Sequence, residues 1–427
     1  MKKDRLYQVA VIGLGYVGLP LAKLFLEKGH IVYGIDLDEN KVHKLNNRQS
    51  YLNDLTDQDI QAMFSTNRFY VGKKYNVIEY ADVVVLCVPT PLTDEGHPNL
   101  TFIEKAMQTA LPFLRKKQLI VLESTTFPGT TEEVLFPMVE SAGFKVGKDI
   151  SLAYSPERID PGQKQFNLDQ IPKVVSGVTQ SCTDDVRNVY ETVFQHVVVV
   201  SSTKIAEMSK ILENCQRYVN ISLMNELVML CDRMGINLWE VISAANTKPY
   251  GFTPYYPGPG VGGHCIPIDP MFLLWKAKKY NVDLQFIRIA SHINQSIPTF
   301  VAKKVDRSLQ TIGKSTKESR ILVIGITYKK DVNDLRESPA PLIMRLLTAS
   351  GAKVNFYDPY VEKLEHGEMS LDRIELTAEN IKRHDCTLIL TDHSSIPYAL
   401  LSDHSRLIID TRYAIGHLKD KGNIVFL

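Results

Sequence analysis

The sequence predicts an α/β protein: two Rossmann-like, doubly wound domains joined by a long central helix and a helical middle domain. A β-rich run, Gln8 to Ile12, ends in Gly13-Leu14-Gly15-Tyr16-Val17-Gly18 and passes into a helical pattern. From Ser201 the texture changes to apolar residues at three- and four-residue steps. At Arg320-Ile321-Leu322-Val323-Ile324-Gly325 the β-rich texture returns. The expected divisions are 1–200, 201–310 and 311–427.

In the first domain, Leu19 to Lys28 is helical in pattern, and Gly29 suits the left-handed position past its end. A second strand, His30 to Ile35, closes on Asp36. Buried-strand patterns recur at Ala81 to Val88, Leu119 to Leu122 and Ile150 to Tyr154. Strands alternating with helices imply a parallel sheet. In the middle, Ile205, Met208, Ile211, Leu212, Cys215, Val219 and Leu223 mark a long amphipathic helix, uninterrupted by Pro or Gly until Gly235. In the last domain, strands are expected at Lys353 to Asp358, Cys386 to Leu390 and Leu407 to Asp410. This domain repeats the strand ending in Val-Ile-Gly and the strand ending in Asp, but not the three-glycine run.

Composition bounds the function. A chain of 427 residues exceeds one core, and 44% apolar with 23% charged residues is ordinary for a globular protein. A net charge of +1 gives no reason to expect nucleic acid or an anionic membrane as partner, so phosphate binding must be local. No apolar stretch reaches the length of a membrane span. Met1 to Leu6 runs almost directly into a strand without a leader's apolar core, so a cytoplasmic location is expected. Cys87, Cys182, Cys215, Cys231, Cys265 and Cys386 are scattered without metal-ligand spacing, and read as free thiols; no metal site is expected.

The glycine fingerprint carries the first chemistry. Gly13 permits a tight turn, Gly15 lets backbone approach a pyrophosphate, and Gly18 lets helix pack on strand. The phosphates then rest on the helix N-terminus, with Tyr16 and Val17 between the glycines. Asp36 is placed to accept from an adenosine ribose diol and to repel a 2′-phosphate, which favours NAD over NADP. Pro89-Thr90-Pro91 and Glu123-Ser124-Thr125-Thr126 follow strands where such a sheet binds ligand; each is either a ligand contact or ordinary turn chemistry. Lys210 and Asn214 share a face of the long helix, as functional groups or as a solvated surface.

Cys265 lies in Pro257-Gly258-Pro259-Gly260-Val261-Gly262-Gly263-His264-Cys265-Ile266-Pro267-Ile268-Asp269-Pro270. Such a density of Gly and Pro excludes a helix or strand interior and describes a loop that brings backbone close to something while presenting a thiol. His264 is a poor base for it, since neighbouring side chains in an extended loop diverge; Asp269 is the better partner. Lys329, Lys330, Asp334 and Arg336 follow the first strand of the second Rossmann-like unit, either as a phosphate site or as a surface charge cluster.

Taken in order, these residues resemble the UDP-glucose/GDP-mannose dehydrogenase family over essentially the whole chain. The resemblance rests on GLGYVG with Asp36, Cys87 to Leu92, Ser124-Thr125, Ser155-Pro156-Glu157, Lys210 with Asn214, the GGHCIPIDP loop, and Tyr328-Lys329-Lys330-Asp331 leading to Asp334 to Pro339. It implies an NAD-binding first domain, a homodimer built on the central helix, and a UDP-sugar-binding last domain. It also implies a four-electron oxidation of a sugar C6 hydroxyl to a carboxylate. Carried over by motif, Cys265 is the nucleophile. Lys210, Asn214 and Asp269 handle protons and the oxyanion, Glu157 assists hydrolysis, and Thr125 positions water. Gly13, Gly15, Tyr16, Val17, Gly18, Asp36, Pro89, Thr90, Thr125 and Arg336 hold NAD. Glu157, Arg158, Lys210, Asn214, Tyr255, Tyr256, Gly262 and Lys329 meet the UDP-sugar. His264 beside the cysteine, the run Ser155 to Gly162 with proline in place of a second glutamate, and the approach from Lys248 to Gly260 look like the branch that oxidises UDP-N-acetylhexosamines. The expected order is UDP-N-acetylglucosamine, then UDP-N-acetylmannosamine, then UDP-glucose.

Overall fold

The computed structural model describes residues 5–52, 54–158, 166–418 and 422–427. Met1 to Asp4 and the run Ile159 to Gly162 lie outside the described residues. The chain forms two compact units, Met1–Glu213 with Met271–Val282, and Asn214–Pro270 with Asp283–Leu427. The helical middle expected over 201–310 is thus shared, and the helix Thr203–Met234 belongs in part to each.

The first unit is built on eight strands: β1 (Gln8–Ile12), β2 (Ile31–Ile35), β3 (Phe69–Gly72), β4 (Val83–Leu86), β5 (Leu119–Leu122), β6 (Ser151–Tyr154), β7 (Lys173–Gly177) and β8 (Val197–Val199). Their order is β3-β2-β1-β4-β5-β6-β7-β8. All neighbours are parallel except β6 and β7. Strand alternation feeds two cores: Val9, Val11, Val83, Val85 and Val121 enter one, while Ala10, Ile12, Val84, Leu86 and Ile120 enter the other. Both faces are covered, which is why these strands read as continuous apolar runs. Strand order reverses between β1 and β4, and such a reversal opens a crevice at the carboxyl ends of the strands.

The second unit repeats this plan with β9 (Arg320–Ile324), β10 (Lys353–Tyr357), β13 (Cys386–Ile389), β14 (Ile408–Asp410) and β15 (Ile424–Phe426), in the order β10-β9-β13-β14-β15. A hairpin, β11 (Lys363–His366) with β12 (Met369–Asp372), is inserted between β10 and β13. Ile321, Val323 and Leu388 enter one core, Leu322, Ile324 and Ile389 the other.

The long helix departs from its expected pattern. Ile205, Leu212 and Leu223, expected in the buried stripe, are 47%, 59% and 45% exposed. The buried face is instead Glu207, Lys210, Ile211, Asn214, Tyr218, Ser222, Asn225 and Val228. At 3.6 residues per turn these residues lie opposite Ile205, Leu212, Leu223 and Leu230. Periodicity finds an apolar stripe but does not say which side faces inward, and here polar residues line the inner face.

Candidate active site

At the end of β1, Gly13 has φ +92°, and a Cβ there would come within 2.6 Å of the Cys87 carbonyl oxygen after β4. At Gly18 a Cβ would sit 1.9 Å from the Gly13 carbonyl oxygen, so the helix Gly18–Glu27 can start only with glycine in that place. A Cβ on Gly15 would meet nothing within 4 Å. The outer two glycines therefore serve the protein's own packing, and the middle one leaves open the approach that a pyrophosphate needs. Tyr16 and Val17 are half-buried and pack on the core beneath.

The Asp36 carboxylate accepts from Leu14 N at 2.9 Å and Asp38 N at 2.9 Å, which fixes it beside the glycine turn. Lys41 Nζ lies 3.5 Å from the oxygen that takes Leu14 N, and the other oxygen keeps a lone pair for a ribose hydroxyl. These features fit NAD. Pro89 is exposed and Thr90 half-buried just past β4. Ser124 donates to the Val88 carbonyl at 2.7 Å and ties the loop after β5 to the loop after β4, with half-buried Thr125 next to it.

Beyond β6 the same unit holds a buried polar cluster. The Lys210 ammonium donates to the main-chain carbonyl of Glu157 at 2.7 Å. The Glu157 side chain accepts from Arg158 N at 2.7 Å and from Lys173 Nζ at 2.9 Å. Arg158 pairs with Glu213 at 2.9 Å. Lys173 also meets Glu123 at 2.8 Å, and the Tyr190 hydroxyl donates to Glu123. Burial works against the Lys173 ammonium, but the two carboxylates outweigh it and hold its pKa above the usual value. One turn earlier on the helix, Glu207 accepts from Thr131 N at 2.8 Å, Thr131 Oγ1 at 2.7 Å and Gly129 N; burial pushes its pKa up to about 7 against those bonds.

In the second unit, Cys265 heads a turn: its carbonyl accepts from Ile268 N at 3.1 Å and Asp269 N at 2.8 Å. The turn leads directly into the helix Asp269–Lys278, so Asp269 and Pro270, expected in the loop, open this helix. Proline suits a first helical turn, and an acid there meets the positive end of the dipole. The Asn214 side-chain amide donates to Asp269 at 2.5 Å, with Asn214 8% and Asp269 1% exposed. Burial and the nearby Asp269 charge push the Cys215 thiol up to about 12, which leaves it an inert neighbour.

The glycines of the cysteine loop have a use other than ligand approach. A Cβ on Gly262 would lie 2.7 Å from both the Glu337 carbonyl oxygen and Tyr328 Cβ, and one on Gly263 would lie 2.7 Å from the Tyr328 ring. Gly263 N donates to the Arg336 carbonyl at 3.0 Å. The loop is thus fitted against the segment after β9, so the cysteine turn and Tyr328 to Glu337 form one piece. The Arg336 side chain pairs with Asp334 at 2.6 Å, and the Lys329 carbonyl accepts from Thr327 Oγ1 at 3.1 Å. Tyr256 stacks on Trp239 at 5.3 Å, and Tyr255 packs on the core.

Lys173, Tyr190, His393 and Asp358, which the fold gathers into buried polar networks, belong to no sequence motif. The available signal is a charge at the mouth of an apolar strand: Glu123 closes β5 and Lys173 opens β7.

Three models of one family match in chain order. The NAD binding domain matches residues 7–194, the central domain 204–296, and the UDP binding domain 322–417. The chain belongs to the UDP-glucose/GDP-mannose dehydrogenase family. It is 32% identical over 425 residues to a UDP-N-acetyl-D-mannosamine dehydrogenase of Methanococcus maripaludis, covering 96% of this chain and 93% of that one. It is 34% identical over 416 residues to an NDP-N-acetyl-D-galactosaminuronic acid dehydrogenase of Ralstonia solanacearum, covering 95% of each. The solved UDP-D-ManNAc dehydrogenase of Pyrococcus horikoshii superposes with a TM-score of 0.89 at 31% identity, covering 98% of each chain. The protein is an NAD-dependent UDP-sugar dehydrogenase. Among the described residues no helix is long and apolar enough to cross a membrane, and no cluster of His, Cys, Asp and Glu is arranged to hold a metal ion.

Proposed function

We propose that this enzyme oxidises the C6 hydroxyl of UDP-N-acetylmannosamine to a carboxylate in two NAD⁺-dependent steps, with Cys265 as the nucleophile. The observation that carries it is the grouping of Cys265, Asp269 and Asn214 in one turn and one buried hydrogen bond. The relatives favour UDP-N-acetylmannosamine over UDP-N-acetylglucosamine, which the sequence motifs put first. Their names share a 2-acetamido sugar and twice specify the mannosamine.

The balance is RCH₂OH + 2 NAD⁺ + H₂O → RCOO⁻ + 2 NADH + 3 H⁺. Bound NAD⁺ supplies the hydride acceptor. Asp269, oriented by Asn214, takes the alcohol proton directly or through water as the first hydride leaves C6. The Cys265 thiolate then adds to the aldehyde carbon, and the thiohemiacetal loses the second hydride to become a thioester. Water held by Thr125 cleaves it, with Glu157 assisting. The Lys210 ammonium and Asn214 amide stabilise the oxyanion at each stage. Lys329 receives the nucleotide; Arg158, Tyr255, Tyr256 and Gly262 border the sugar, and Arg336 the cofactor.

The enzyme works as a cytoplasmic homodimer through the helix Thr203–Met234. Ile205, Leu212, Leu223, Leu230 and Met234 recur at intervals of 7, 11, 7 and 4 residues on one line, each 45–59% exposed. A stripe of this kind suits a second copy of the same helix. Light scattering should give a dimer for wild type and a monomer for Leu212→Glu/Leu223→Glu. A dimer in both would reject this interface.

The substrate test is NADH formation from UDP-N-acetylmannosamine, UDP-N-acetylglucosamine, UDP-N-acetylgalactosamine and UDP-glucose in parallel. Two NADH per UDP-N-acetylmannosamine at the highest kcat/KM is expected. Preference for another sugar would move the assignment while keeping the chemistry.

A further inference from the structure

The inner face of the helix Thr203–Met234 is polar where packing alone would make it apolar. Within the second unit that face presents Asn214, Tyr218, Ser222 and Asn225, at steps of 4, 4 and 3 residues, and all are at most 8% exposed. Each has a partner. Asn214 holds Asp269. The Tyr218 hydroxyl is hydrogen-bonded to Ser291 and Asn294 on the helix Gln285–Thr311, and Ser222 Oγ donates to the Ala290 carbonyl at 3.1 Å. The remaining contacts reach the cysteine loop. Asn225 Oδ1 accepts from Gly258 N at 2.9 Å, and Asn294 Oδ1 accepts from Val261 N at 2.7 Å.

The two asparagines grip the Gly-Pro run that leads to Cys265. A Cβ on Gly258 would lie 2.7 Å from Arg412 Nη1, and Gly260 takes φ +134°, a backbone that suits glycine. Asn225 is fully buried and its Nδ2 has no hydrogen-bond partner among the described residues, so keeping an amide there costs stability. What it gains is the one bond to Gly258. Further along, Gly263 N is held by the Arg336 carbonyl and the Asp269 side chain by Asn214. The segment 258–269 is thus tied at Gly258, Val261, Gly263 and Asp269, and Cys265 stands between the last two. We propose that Asn225 and Asn294 are positioning residues for the second oxidation: by holding the amides of Gly258 and Val261 they set where the Cys265 sulfur stands against C6 of the sugar. This rests on the nucleophile role given above to Cys265.

The first hydride transfer needs no thiol and the second does, so a displaced Cys265 slows one step and spares the other. The step spared is RCH₂OH + NAD⁺ → RCHO + NADH + H⁺, and hydroxylamine captures the aldehyde as an oxime with loss of water. The test follows NADH release in a single turnover, and oxime by mass spectrometry, for Asn294→Leu, Asn294→Asp, Asn225→Leu and Cys265→Ser. The substrate is whichever UDP-sugar the wild type oxidises fastest. Asn294→Leu should slow the second NADH by about 10- to 100-fold, the scale of a reacting group misplaced by an ångström. The first NADH and the NAD⁺ affinity should stay within about threefold of wild type, since the cofactor turn lies in the first unit, and oxime should appear. Asn294→Asp keeps the acceptor for Val261 N and should recover most of the loss. Should the buried Asn225→Leu not fold, the half-buried Asn294 carries the same question. Equal slowing of both NADH steps without oxime would mean a structural role alone and overturn the proposal, as would wild-type kinetics in the leucine variants. Two NADH from Cys265→Ser at the wild-type rate would instead remove the reading on which it rests.

Discussion

Gly13 and Gly325 hold equivalent places in the two sheets, and what surrounds them differs. Each ends the first strand of its unit with positive φ, +92° and +74°, beside a reversal of strand order. Each would drive a Cβ into the carbonyl of the loop opposite, 2.6 Å from Cys87 and 2.3 Å from Thr391. Each is followed by an amide that donates to an aspartate past the second strand: Leu14 N to Asp36 at 2.9 Å, Ile326 N to Asp358 at 2.7 Å. There the likeness stops. In the first unit Gly15 faces open space. In the second, His393 lies 3.0 Å from Asp358 and 3.1 Å from Thr327 Oγ1, and the His393 and Asp358 side chains are fully buried. The acid that can serve a ribose in one unit is enclosed by the protein in the other. One frame thus leaves open space beside the acid of the first unit and packs protein around the acid of the second.

The largest effect should come from Gly13→Val. Its side chain has nowhere to go but the Cys87 carbonyl, and its φ is unfavourable for a branched residue. NAD⁺ affinity should fall by more than about 100-fold by titration. Near-normal affinity would mean the glycine turn is not the cofactor cradle. In the second unit, His393→Ala leaves a buried carboxylate short of a partner and should cost about 2–4 kcal/mol of stability by denaturant titration, with NAD⁺ affinity unchanged. Weakened NAD⁺ binding would show that the second crevice is not simply closed.

The first unit also holds two buried groups whose pH effects oppose each other. Burial pushes Glu207 up to about 7 and His30 down to about 4. The Glu207 contribution is present below its unfolded value of 4.5 and is lost as pH rises through 7; the His30 contribution is present above 6.5 and is lost as pH falls through 4. Each is on the order of 3 kcal/mol. Relative to wild type, Glu207→Gln should therefore gain stability as pH rises from 5 to 7, and His30→Asn should lose it, as read from urea midpoints at a series of pH values. Parallel curves for all three proteins would contradict the assignment. The smallest effect is expected for Asp36→Asn: KM for NAD⁺ about tenfold higher and discrimination against NADP⁺ reduced, since the ribose keeps one acceptor but the repelling charge is gone. Unchanged cofactor preference would separate Asp36 from the ribose.

What was legible in the sequence follows the same division. The strands β1, β2, β4, β5, β6, β9, β10, β13 and β14 announce themselves because buried parallel strands are unbroken apolar runs. β3, β7, β8, β11, β12 and β15 do not: β3, β8 and β15 are edge strands, β7 runs antiparallel to β6, and β11 and β12 form the inserted hairpin. Gly13, Gly15, Gly18 and Asp36 stand out in the sequence because a dinucleotide turn needs fixed spacing. Asn214 and Asp269 are singled out by motif, but their hydrogen bond closes only in the fold, across 55 residues. Lys173 carries no spacing signal at all; its partners Glu123 and Glu157 are 50 and 16 residues away. The loop glycines read in the sequence as a shaped loop close to a ligand, and in the fold Gly262 and Gly263 also make room for Tyr328 and Glu337.

On the proposed route Cys265 carries the sugar through the second oxidation. Rapid quench of enzyme with excess NAD⁺ and UDP-N-acetylmannosamine, followed by peptide mass mapping, tests it directly. A uronyl thioester on the peptide containing Cys265, absent from Cys265→Ser together with turnover, is the result predicted. Two NADH per sugar with no adduct on Cys265, or undiminished turnover in Cys265→Ser, would contradict it.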